Sequence, residues 1–144
     1  MRQKGVWFMR GFRDQSGTAI VEFALLLPVI LTMLVGILSF GLYFGAAHSI
    51  QQLAADAARR SVAGATLAER QSLVSDFVAA NGATYFLVRA DRLTEASVTP
   101  APSGQSRVRI TYDASWLPIF SFADLLPLPA STITRDCVIL EGEP

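Results

Sequence analysis

The chain has 144 residues with twelve basic and twelve acidic side chains, so its formal net charge is zero. That length has room for about one domain, and the missing basic excess excludes a nucleic-acid binder, which needs a basic face for phosphates. The single cysteine, Cys137, excludes an internal disulfide and leaves a buried packing residue or a link to another chain.

Apolar residues make up 51% of the chain, unevenly spread. The run from Phe23 to Ala47 holds no charged side chain, and a hydrocarbon core needs roughly 20 helical residues to cross. The run therefore reads as a transmembrane helix. Ahead of Thr18 stand Arg2, Lys4, Arg10 and Arg13 against one acid, Asp14; beyond the run the first charges are Asp56, Arg59 and Arg60. Basic flanks stay in the cytoplasm, so the C-terminal part is expected to be exported. A cleaved secretory signal has a shorter apolar region of about 7–15 residues and a small-residue cleavage site, which Phe44-Gly45-Ala46-Ala47-His48 matches poorly.

The junction Ser16-Gly17-Thr18-Ala19-Ile20-Val21-Glu22-Phe23 places a carboxylate five residues after a glycine, at the entrance to the apolar run. Alone, Glu22 reads as an interfacial acid at a helix N-terminus, favoured by the dipole; at the membrane centre a charge costs about 2.5–3.5 kcal/mol. With the basic leader and the long helix, the pattern resembles a type IV pilin precursor. The run from Gly17 to Pro28, then Gly36-Ile37-Leu38-Ser39-Phe40-Gly41 and Gln52-Leu53-Ala54-Ala55-Asp56-Ala57-Ala58-Arg59, resembles the TadE-like family more narrowly. The resemblance covers about residues 12–63. It implies that a prepilin peptidase cuts between Gly17 and Thr18, with Glu22 as the fifth mature residue and Phe23 as the aromatic that follows it. It further implies a minor pilin or pseudopilin working with other Tad pilins, an assembly ATPase and a platform in the inner membrane.

Within the helix Pro28 removes a backbone donor and is expected to kink it, either as a structural feature or as an aid to leaving the bilayer. Gly41 and Gly45 form a G-x-x-x-G pair, a candidate close-packing face for a partner helix. Beyond the membrane Ile50, Leu53, Ala54 and Ala57 keep helical spacing. Gly64 supplies a stop, and Thr66 with Glu69 forms a capping box for a second helix. That helix carries Leu67, Val74, Phe77 and Val78 on one side and ends at Asn81-Gly82. Tyr85-Phe86-Leu87-Val88 fits either a continued helix or a short strand.

After Leu93 the period changes to two. Val98 and Thr99, the turn cluster at Pro100, Pro102 and Ser103-Gly104, and the alternating Arg107–Tyr112 predict an antiparallel hairpin. Ile133, Cys137 and Ile139 share one face of a third strand, with Thr134, Asp136 and Val138 on the other. Between the last two strands Trp116, Ile119, Phe120 and Phe122, followed by Asp124 to Pro129, are too apolar for an ordinary loop. They either finish a thin core or form a patch for another pilin.

The expected fold is α+β: a cytoplasmic leader at 1–17, a transmembrane helix at 18–47, and an exported domain at 48–144 with a second helix and about three antiparallel strands. Catalytic chemistry has little to draw on. His48 is the only histidine and sits near the outer membrane boundary, Asp91, Glu95, Asp113 and Asp124 are scattered, and no metal-ligand or phosphate-loop spacing occurs. Neither a cofactor, a metal nor a small-molecule substrate is expected. The competing reading is an unprocessed, membrane-tethered binding or sensor module, which has no need of Gly17 and Glu22.

Overall fold

A computed structural model describes residues 15–122 and 128–140. The basic residues of the leader and Asp124 lie outside them. One helix, α1, spans Gln15–Ser61, and the chain forms two units, one up to Val35 and one from Gly36.

In the first unit every side chain from Gly17 to Val35 is exposed. Pro28 stays inside the helix. The Thr32 hydroxyl donates back to the Pro28 carbonyl at 2.7 Å, a type of bond that tends to bend helices. α1 is long and apolar enough to cross a membrane.

In the second unit α1 acquires a buried stripe. Ser39, Ala46, Ala47, Ser49, Ile50, Leu53, Ala54, Ala57, Ala58 and Ser61 are all covered, at the spacing of one helix face. Small residues dominate it, so the rest of the unit can approach the backbone closely. Ile50 and Leu53 are the large exceptions, each worth roughly 1.5–3 kcal/mol on burial. The helix ends where Gly64 N–H donates to the Ser61 carbonyl at 3.1 Å.

A second helix, α2, runs Leu67–Asn81, and the capping box is complete: Thr66 accepts from the Glu69 N–H, and the Glu69 carboxylate accepts from the Thr66 N–H. Such a cap contributes about 1 kcal/mol. Val74 and Val78 are buried and Phe77 packs half-buried against them. Leu67, expected on the same side, is 44% exposed. It opens the helix, before α2 has reached the sheet it packs on.

Three strands form one antiparallel sheet in the order β1 (Leu93–Ala101), β2 (Gln105–Asp113), β3 (Thr132–Leu140). The central strand alternates strictly, with Ser106, Val108, Ile110 and Tyr112 buried. Register aligns Val98, Val108 and Cys137 across one row and Tyr112 with Ile133 in another, so Cys137 is a half-buried packing residue. The opposite face is polar: Arg109 holds Asp136 through two bonds of 2.8 and 2.9 Å. The β1–β2 turn uses consecutive left-handed residues, Ser103 and Gly104 (φ 64° each), a conformation glycine adopts without strain.

The outer edge of β1 is closed by a side chain. The Gln71 amide donates to the Ala96 carbonyl at 2.8 Å and accepts from the Val98 N–H at 2.7 Å, imitating a neighbouring strand. Pro100 has the same parity, so its missing N–H faces this edge rather than the ladder, where proline is tolerated. Residues 85–88 are neither helix nor strand. They form a turn in which Leu87 takes φ 60°, a conformation costing roughly 1–3 kcal/mol for a residue with a Cβ.

Candidate functional site

The residues expected to be processed and to pack in an assembly all lie on α1. Gly17 and Thr18 fall in its first turns; Glu22, four residues after Thr18, shares that residue's face, and Phe23 is 60% exposed. Ile20, Leu25, Ile37 and Leu38 are 63–70% exposed. So large an uncovered apolar surface calls for lipid or a neighbouring subunit.

The two glycines of the G-x-x-x-G pair differ. Gly41 has open space around it, whereas a Cβ on Gly45 would stand 3.4 Å from both the Phe86 ring and the Leu87 side chain. Gly45 is therefore already used in packing by the chain's own turn.

That turn is held at three points. The buried Tyr112 hydroxyl donates to the Leu87 carbonyl at 3.0 Å and accepts from the Arg89 N–H at 3.3 Å and the Trp116 Nε1–H at 2.8 Å. One donor and two acceptor positions are thereby filled, the full capacity of a phenol. Arg89 also lies over the Trp116 ring, 5.6 Å from its centroid. At the other end the Tyr85 hydroxyl donates to Asp56 on α1 at 2.6 Å, and Asp56 is also paired with Arg59.

Asp56 is held below the ordinary carboxylate range, first by the Tyr85 hydroxyl and then by Arg59. Tyr85 is pushed up to about 12, first by burial and then by its bond to Asp56. A depressed carboxylate stabilises the fold above its unfolded value of 3.8 and loses that contribution as pH falls through the folded value. A raised tyrosine stabilises below its unfolded value of 10.0 and loses its contribution as pH rises toward about 12. Ultraviolet titration is expected to show the Tyr85 phenol ionising near 12. Asp56→Asn should bring it only part of the way back, because burial is the larger cause; an unchanged titration would refute the pairing.

The apolar segment between β2 and β3 is closed at its neck by Ala114 N–H donating to the Ser131 carbonyl at 2.8 Å. Leu117 and Ile119 enter the core, each 1% exposed. Of the four residues considered for a partner patch, Ile119 is thus not at the surface, because the turn Pro118–Phe122 aims it inward. Trp116, Phe120 and Phe122 are half-buried. Phe120 meets the α1 residue Tyr43 edge-on at 6.2 Å between ring centroids, and the Tyr43 hydroxyl donates to the Ala130 carbonyl at 3.1 Å.

The acids and the histidine have ordinary partners. Asp91 pairs with Arg89 and Arg92, Asp113 with Arg92, and Glu95 accepts from Ser97; His48 bonds Gln52 at 3.0 Å. The Tyr112 hub, the Gln71 edge and the internal use of Gly45 have no signal in the sequence, where Tyr112 reads only as an alternating apolar residue.

Residues 17–59 match the family model described as TadE-like protein. No curated protein and no solved structure matches the chain. The matched segment is the helix α1 almost in full, and it suggests a pilin-like protein associated with Tad pili.

Proposed function

We propose, on the premise of this TadE-like helix, that the chain is a minor pilin or pseudopilin taking part in assembly of a Tad-type pilus for attachment or secretion. Residues 1–17 are the cytoplasmic leader, 18–47 cross the inner membrane, and 48–144 are exported. Prepilin peptidase removes the leader after Gly17. The new Thr18 ammonium and the Glu22 carboxylate of a neighbouring subunit then neutralise each other where neither is well solvated. The observation that carries the reading is Gly17 and Glu22 at the start of a helix whose surface is uncovered from Gly17 to Val35. That surface suits exchange of lipid neighbours for helical ones in a fibre.

The test is the mass of the mature chain from native membranes, beside Gly17→Ala. The wild type is expected to begin at Thr18 and the variant to keep its leader. An intact Met1 in the presence of the system's own peptidase would instead indicate a tethered binding module, and a start near His48 a secreted protein.

A further inference from the structure

Two loops of the second unit are fastened to α1 at a single level. Phe86 and Leu87 pack on Gly45; Phe120 and the Ala130 carbonyl meet Tyr43. Counted from Phe23, the roughly 20 helical residues of a hydrocarbon crossing end near Leu42. The next charged residue along the helix is Asp56. Both loops are therefore attached where a membrane span leaves the hydrocarbon, on a stretch with no charge of its own.

The side chains displayed there are aromatic. Phe86 is 68% and Phe44 64% exposed, and Tyr43 and Trp116 belong to the residue types enriched at membrane interfaces. The Phe86 ring is not exposed by slack in the chain. It leads into the left-handed Leu87, and the turn is clamped by the buried Tyr112 hydroxyl on one side and by Tyr85 on Asp56 on the other. Arg89, on the same turn and half-exposed, is held by Asp91 through two bonds of 3.1 and 3.0 Å and lies over the Trp116 ring, so it fixes the aromatic group in place.

We infer that the Phe86 turn and the Phe120–Phe122 segment form a foot that rests in the interfacial layer of the bilayer crossed by α1. Phe86 enters the boundary to the depth of other interfacial segments, roughly 5–10 Å. The inference rests on reading α1 as a membrane span. It gives the exported unit a fixed seat on the membrane before any assembly, and leaving the bilayer then requires the foot to be lifted as well as the helix.

Spin labels at Phe86→Cys, Leu38→Cys and Leu140→Cys, each in a Cys137→Ala background of the full chain, test it. The vesicles are phosphatidylethanolamine and phosphatidylglycerol, with oxygen and a water-soluble nickel chelate on both sides. The oxygen-to-nickel accessibility ratio at Phe86 is expected to be several-fold above that at Leu140, approaching that at Leu38. A Phe86 ratio equal to that of Leu140, with Leu38 still shielded from nickel, overturns the foot and leaves the span intact. A water-exposed Leu38 overturns the span reading and the foot with it. An immobile Phe86 label shielded from both reagents overturns lipid as the occupant in favour of a protein neighbour. Phe122→Cys reads the second loop by the same criteria, so one misfolded variant does not leave the question open.

Discussion

Tyr112→Phe is expected to destabilise the second unit by about 2–3 kcal/mol, far more than removing one oxygen atom from a surface position. The ring stays, so its place in the core opposite Ile133 is kept and the whole effect comes from the hydroxyl. Three groups lose a partner: the Leu87 carbonyl, the Arg89 N–H and the Trp116 Nε1–H. Each buried polar group left unsatisfied costs about 1–3 kcal/mol. The Arg89 bond is long and all three bonds lie in part-buried surroundings, so the sum falls below three full penalties. The loss also removes one clamp on the strained Leu87, so the Phe86 turn should loosen with it. Denaturant unfolding in detergent, followed by near-ultraviolet circular dichroism, reads this without interference from the apolar helix. A loss under about 0.5 kcal/mol, the scale of a surface substitution, would mean water replaces the hydroxyl without cost and the hub holds nothing in place.

This hub marks the line between what the sequence discloses and what it does not. Local patterns were readable. The alternation of Val108, Ile110 and Tyr112, the shared face of Ile133, Cys137 and Ile139, and the Thr66–Glu69 cap each depend on residues a few positions apart. The three-strand sheet and two helices follow from them. The polar contacts that fix the loops join residues far apart in the chain, such as Tyr85 to Asp56, Gln71 to Ala96 and Tyr112 to Leu87. No periodicity records them, which is why Tyr85-Phe86-Leu87-Val88 fits helix and strand equally as a sequence and is a clamped turn in the structure.

The candidate site divides in the same way. The spacing of Gly17 and Glu22 is a local signal, and it points to the chemistry without geometry. Gly45 carried a local signal too, the G-x-x-x-G pair, but the chain's own Phe86 turn occupies that surface. A small-residue pair on a helix records only that something approaches closely; which element does so is decided by the fold.

Gly64→Ala should cost about 1–3 kcal/mol, the range for forcing extra volume into a packed site. The sequence marks Gly64 only as a stop between two helices, yet the glycine has a steric reason to be there. An added Cβ would stand 2.7 Å from the Arg70 nitrogen, 2.8 Å from its Cγ and 3.1 Å from its Cα. Two of these atoms are backbone in the first turns of α2, so the clash cannot be relieved by rotating a side chain. The helix would have to move, and its start is where several ties converge. Arg70 Nε donates to the Gly64 carbonyl at 2.9 Å, and its Nη1 donates to the buried Ser106 of β2 at 3.0 Å. Displacing α2 also draws Gln71 from the β1 edge. The double variant Gly64→Ala with Arg70→Ala separates the two sources of strain. It removes the Cγ contact but keeps the backbone clash and loses both arginine bonds, so it should be no more stable than Gly64→Ala alone. Recovery of stability in the double variant would show that the arginine side chain, rather than the α2 backbone, sets the requirement for glycine at position 64.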